Sequence, residues 1–205
     1  MPKVVIHDPE FAAGVIRTRG ESPADRYTEV WDGVIVMPAV PNNEHQDLVL
    51  RLCVPFAAIV DRDHGDSVLP GANVSSRPDD WKEDYRRPDV VVALSGGRAQ
   101  DRHTHWYGGP DLVVEIESPS EDPKAKLDFY AAVGCRELLV VYRHPWALEL
   151  FRFDAGGHTS AGRVTVADTT ELASTVLPLT FRLRPGKPRP VIVMTQPATG
   201  QTWTA

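Results

Sequence analysis

Two carboxylates stand where a β-sheet protein tolerates them least. Asp89 opens the apolar run PDVVVAL, just after Arg86-Arg87-Pro88, and Glu115 lies inside PDLVVEIESPS. An ionised carboxylate left unpaired among Val, Leu and Ile costs several kcal/mol, so each requires a cation. On adjacent strands Asp89 and Glu115 come within reach of one divalent ion. Two carboxylates completed by waters and phosphate oxygens suit magnesium, with manganese as a substitute. The alternative is that each carboxylate pairs with an arginine or caps a loop.

Lys126 bears on that choice. Phe129, Tyr130 and Val133 follow it at helical spacings, so its side chain shares their core-directed face, whereas Lys124 points elsewhere. An inward lysine beside two sheet carboxylates neutralises them, orients an attacking water or holds a phosphate. Its other reading is a stem packed on the core with the amine reaching solvent. His45 precedes Leu48 and Val49 by three and four residues, which sets its imidazole on the inward edge of a helix start. Its ordinary pKa near neutrality suits proton transfer.

Three other features compete for attention. Asp111 follows Pro110 and lies four residues before Glu115, but Gly108-Gly109-Pro110 marks a strand entrance, where a loop cap is the commoner role. The cluster His103-Thr104-His105 sits in a polar loop without a third ligand at useful spacing. Trp81, Trp106 and Trp146 fall near loops, where packing is the commoner role and stacking on bases the alternative.

These residues need elements to position them. Tyr27 to Met37 reads as a hairpin turned at Asp32-Gly33. From Asn43 to Asp63, Leu48, Val49, Leu52, Phe56, Ile59 and Val60 recur at three- and four-residue spacing, an amphipathic helix kinked or broken at Pro55. A loop and strand follow around Asp66 to Ser76. PDVVVAL, PDLVVEI and ELLVVY read as strands covered on both faces. SPSEDPKAKLDFYAAVG reads as a helix with Asp122 as N-cap, Pro123 in the first turn and Gly134 at the stop. Strand, helix, strand argues for a parallel crossover. WALELFRFDAGGHTSAGRVTV reads as a further hairpin, and the Pro-rich end from Arg184 onward as edge structure and tail. The first 25 residues give no clear signal.

Composition sets the outer bounds. At 205 residues with 42% hydrophobic and 24% charged, the chain fills one sizeable core and fits neither a disordered segment nor a coiled coil. Residues 1–205 are read as one domain, with a core at about 25–155 and a C-terminal β-hairpin and Pro-rich tail at about 156–205. No apolar run reaches the roughly 18 residues of a membrane helix, and the opening MPKVVIHDPEF is too charged for a secretory signal. The expected setting is the cytoplasm, with no membrane partner and with Cys53 and Cys135 as buried, reduced thiols. A net charge of −6 means that binding a nucleic acid takes a local basic patch or a metal ion. Arg86, Arg87, Arg98 and Arg102 form such a rim or simply a solvated loop.

The series ExxDG (Glu29 to Gly33), EHQ (Glu44 to Gln46), RRPDVVV, PDLVVEIESPS, KxxxY (Lys126 to Tyr130) and VGCRELLVV resembles the Uma two (Uma2) family of the PD-(D/E)XK, restriction-endonuclease-like superfamily, from about Tyr27 to Asp154. The resemblance implies an α/β (α+β) fold with a mixed central sheet flanked by helices. It also implies a magnesium-dependent endonuclease that hydrolyses phosphodiester bonds of nucleic acid, DNA first among candidates, and acts as a homodimer. Carried over by position, Asp89 and Glu115 match the metal ligands, and Glu29 the acidic residue ahead of the DG turn, assisting directly or through water. His45 matches the histidine of the first long helix. Lys126 matches a lysine moved from the strand onto the following helix, because Glu117 stands two residues after Glu115 where the parent pattern has lysine. A competing reading is a catalytically weak module on a nuclease fold that binds nucleic acid or a protein partner. The acidic total and Glu117 favour it, and metal affinity separates the two.

Overall fold

The structure is a computed structural model and describes residues 4–17, 27–118, 122–154 and 157–205. In chain order its strands and helices are β1 (Val4–Ile6), α1 (Pro9–Arg17), β2 (Glu29–Trp31), β3 (Val34–Met37), α2 (Asn43–Ile59), β4 (Ser67–Pro70), β5 (Val74–Ser75), β6 (Tyr85–Arg86), β7 (Val90–Ala93), β8 (Gln100–Asp101), β9 (Trp106–Tyr107), β10 (Leu112–Ile116), α3 (Leu127–Val133), β11 (Glu137–Arg143), β12 (Trp146–Asp154), β13 (Gly157–Val164), β14 (Leu172–Ala173), β15 (Thr180–Arg184), β16 (Val191–Gln196) and β17 (Gln201–Thr204).

The central sheet has the order β13-β12-β11-β10-β7-β4. It is mixed: β10 and β11 run parallel while the other pairs are antiparallel. The parallel pair is joined through a 3-10 turn at Pro123–Lys126 and α3, the expected crossover. Both faces are covered, which is why these strands carry near-continuous Val, Leu and Ile. Even-numbered Val90, Val92, Leu112 and Val114 pack with Leu48, Leu52 and Phe56 of α2. Odd-numbered Val91 and Val113 pack with Leu127, Phe129 and Tyr130 on the opposite face. The two-residue period of a strand thereby sends Glu115 toward α3.

Local chemistry explains the supporting elements. Asp32 and Gly33 adopt φ of 49° and 81°, the paired positive values of the tight turn that joins β2 to β3. The side chain of Asn42 accepts the His45 amide to cap α2. This helix runs through Pro55 without a break and ends at Ile59, earlier than Asp63, because Val60 turns extended as C-cap, its N–H donating to the Phe56 carbonyl, and Asp61 caps a separate 3-10 turn. Asp122 accepts the Lys124 amide, and Gly134 closes α3 at φ 80°.

The C-terminal expectation requires correction. The chain beyond Arg184 is no tail: β14, β15, β16 and β17 form a four-stranded antiparallel sheet in that order. Ile192, Met194 and Ala205 are buried in the same cluster as Phe56 and Leu148. Pro185, Pro188 and Pro190 fall between β15 and β16, where a missing backbone donor costs no ladder hydrogen bond. The chain start also carries structure: Val4–Ile6 pairs with β3, and α1 buries Ala12 against Val30 and Tyr85.

Candidate active site

The end of the central sheet where β7 begins and β10 finishes opens on a cavity of about 270 Å³ whose lining includes Glu29, His45, Asp89, Glu115 and Lys126. Val90 pairs with Val114, so Asp89 and Glu115 are neighbours across an antiparallel ladder. The backbone N–H of Asp89 donates to the Val114 carbonyl at 3.0 Å. The Ile116 N–H returns a bond to Asp89 Oδ2 at 2.7 Å, fixing that carboxylate at the sheet end. Asp89 Oδ1 receives His45 Nε2 at 3.2 Å. His45 is buried, and its Nδ1 has no partner among the described residues.

Lys126 is also buried, so the reading of an amine reaching solvent does not hold. Its ammonium donates to Glu29 Oε1 at 2.9 Å and to both oxygens of Glu115 at 3.1 and 3.0 Å. It lies on the 3-10 turn that precedes α3 rather than on the helix proper. Lys124 points away, as its spacing implied, and meets Glu149 at 3.1 Å.

Glu29 is saturated. Besides Lys126, its Oε1 accepts the Arg87 backbone N–H at 2.8 Å, and its Oε2 accepts the Trp31 indole N–H at 2.7 Å. Burial pushes its carboxyl upward, but the Lys126 charge and these donors together hold it below the usual glutamate range. Glu115 goes the other way. Burial raises it to about 8; Lys126 opposes the rise, and the negative charges of Asp89 and Glu29 reinforce it. Buried Glu115 and partly exposed Asp89 repel each other at the cavity wall, an excess of negative charge that a cation relieves. Their oxygen donors suit magnesium, the remaining positions falling to water and substrate. No three His, Cys, Asp or Glu side chains among the described residues form a ready-made metal cage.

Tyr130 is a member of this cluster that spacing alone did not assign. It is fully buried and donates to Glu115 Oε1 at 2.5 Å. Its place four residues after Lys126 is the signal that could have found it, since that spacing returns a helical side chain to the same face.

The competing features take structural roles. Asp111 is buried at the opposite end of β10, where it accepts the Leu94 N–H at 2.8 Å and pairs with Arg136 at 2.9 Å. Glu117 accepts the N–H groups of Arg143 and His144. His105 stacks on Trp81 at 5.2 Å, and Trp106 is buried. Arg86 is not part of an outer rim: it lies buried against Trp31 and Phe129. Cys135 is buried and Cys53 half-buried, with burial raising both thiols, Cys53 to about 11.

A sequence model described as "Uma2: Putative restriction endonuclease" matches residues 17–185. The chain belongs to the Uma2 family. Among solved structures, this Uma2 chain is similar to the "putative nuclease belonging to DUF820" from Anabaena variabilis ATCC 29413. The two share 12% identity and a TM-score of 0.54 over 71% of this chain and 82% of that one. Identity that low shows the fold alone, so the Uma2 chain has the mixed α/β fold of that structure. None of the curated proteins matches it. Among the described residues, no helix of the Uma2 chain is long and apolar enough to cross a membrane.

Proposed function

We propose that this Uma2 protein is a magnesium-dependent endonuclease that hydrolyses phosphodiester bonds in nucleic acid, DNA first among its substrates. The observation that carries the reading is the convergence of Asp89, Glu115 and Lys126 at one cavity, with the lysine bridging Glu29 and Glu115. Asp89 and Glu115 would hold the ion, with manganese able to replace magnesium. Bound there, the metal supplies a Lewis acid for the scissile phosphate and lowers the pKa of a bound water.

The chain's own residues do the rest. Glu29, locked by Arg87 and Trp31, holds the Lys126 ammonium beside the reacting centre, where it offsets charge developing on the phosphate. Tyr130 orients the Glu115 carboxylate. His45 donates through Nε2 to Asp89 and fixes its rotamer at the cavity wall. Cytoplasmic action suits the unpaired Cys53 and Cys135, and family membership supports a homodimer.

A second reading, a nuclease fold used for binding alone, is favoured by one observation: the Lys126 amine is engaged by the carboxylates of Glu29 and Glu115. One experiment separates the two. Magnesium and manganese are titrated calorimetrically into wild type and Asp89→Ala, and the same samples are incubated with supercoiled plasmid and single-stranded DNA. Metal uptake and cleavage of at least one of the two DNAs by the wild type, both lost in the variant, are expected. A wild type that takes up no metal and cuts nothing overturns the nuclease reading in favour of the binding module.

A further inference from the structure

We infer that the cavity over Asp89 and Glu115 admits a single strand of nucleic acid, with Tyr27 and Arg87 as the contact at its mouth. The inference rests on the nuclease reading and names its substrate class.

Depth is the first ground. The side chains of Lys126, Glu29 and Glu115 are 4%, 2% and 7% exposed, so a phosphodiester must descend to meet them. At about 270 Å³ the cavity lies near the lower limit of small-ligand pockets, about 300 Å³, a scale that suits a nucleotide. A duplex keeps its phosphates on the outside of a stiff rod, so reaching this floor favours a strand that can bend inward alone.

The rim is the second ground. Pro38, Ala39, Pro41 and Pro70 line it, and Val40 beside them is 73% exposed. Duplex binding draws its strength from Lys and Arg on many phosphates. Among the described lining residues, Arg87 is the arginine at the rim and Lys126 is committed to the floor. A chain of net charge −6 offers little further attraction. This surface is poorly suited to a duplex backbone and well suited to unstacked bases.

The third ground is the pair itself. The Arg87 guanidinium lies 5.4 Å from the centroid of the Tyr27 ring, and its Nε donates to the Gly71 carbonyl at 2.5 Å. An aromatic ring next to an anchored cation is a pairing that single-strand sites use: stacking tolerates any base, and the cation meets the adjoining phosphate.

The test measures anisotropy of a labelled single-stranded DNA, the same strand in a duplex, and a single-stranded RNA, without metal and with magnesium at one salt concentration, with cleavage followed in parallel. The wild type is expected to bind single strands more tightly than the duplex. Tyr27→Ala is expected to lose about fivefold or more of single-strand affinity, and Tyr27→Phe to retain it. Preference for either sugar meets the inference and identifies the strand. Duplex binding as tight as single-strand binding, or an unchanged affinity in Tyr27→Ala, overturns it. Binding without metal keeps the two readings apart. Tyr27-dependent binding without cleavage refutes the nuclease and spares the single-strand site, whereas cleavage of duplex alone does the reverse.

Discussion

The Tyr130 hydroxyl donates to Oε1 of Glu115 at 2.5 Å, from α3 to the strand beneath it. Both side chains are buried, so the bond has no solvent competitor. It couples the orientation of a candidate metal ligand to the seating of a helix. Removing the hydroxyl leaves the buried Glu115 carboxyl short of one hydrogen bond. Tyr130→Phe, which keeps the ring, is expected to lower stability by about 1–3 kcal/mol, read by urea unfolding. It should also weaken magnesium uptake, because the lost bond favours the ionised carboxylate.

Lys126 should show a larger effect. Its removal strands Glu29 as a buried charge and takes two hydrogen bonds from Glu115, and breaking a buried pair costs about 3–5 kcal/mol. Lys126→Ala should therefore lose stability as well as metal-dependent cleavage. The double variant Glu29→Gln/Lys126→Met should recover much of the stability and none of the activity. A single variant as stable as wild type in chemical denaturation would contradict the ion-pair geometry.

The pH dependence follows from Glu115. With its pKa raised to about 8, this group favours the native state fully below the ordinary glutamate value of about 4.5. That contribution is lost as pH rises through 8. The contribution of Glu29, whose carboxyl is lowered, runs oppositely and is lost as pH falls below 4.5. At pH 7 the metal-free site holds a proton on Glu115, so magnesium uptake should release it, and affinity should rise with pH up to about 8. Calorimetry in buffers of different ionisation enthalpy measures the released proton directly; heats independent of buffer would exclude this coupling.

Gly109 sets the height at which α3 docks. A Cβ there would lie 2.0 Å from the Cys135 nitrogen and 2.1 Å from the Gly134 carbonyl carbon. Neither backbone atom can yield without moving the end of the helix. Gly109→Ala is expected to cost about 3 kcal/mol, seen as an earlier denaturation midpoint. It should reduce cleavage as well, because the same helix carries Tyr130 and follows the turn of Lys126.

Much of this protein was determined by its sequence. The apolar runs around Val91, Val113 and Val140 specify doubly covered strands because alternating positions on both faces are apolar. Asp32-Gly33 specifies a hairpin because both residues tolerate positive φ. Asp122, Pro123 and Gly134 delimit a helical crossover through local hydrogen bonding and steric restriction. The spacing of Lys126 to Phe129, Tyr130 and Val133 pointed the lysine to the core side but left open whether its amine reached solvent. Tertiary structure alone decided what those side chains meet. Glu29 and Lys126 are 97 residues apart in the chain, and no local periodicity encodes which buried charge faces which. The same holds for the C-terminal strands: Ile192 and Met194 were obscured by a proline-rich context that reads locally as a tail. The β-branched run Val191–Val193 favours a strand, but that it buries against Phe56 and Leu148 depends on distant surfaces meeting.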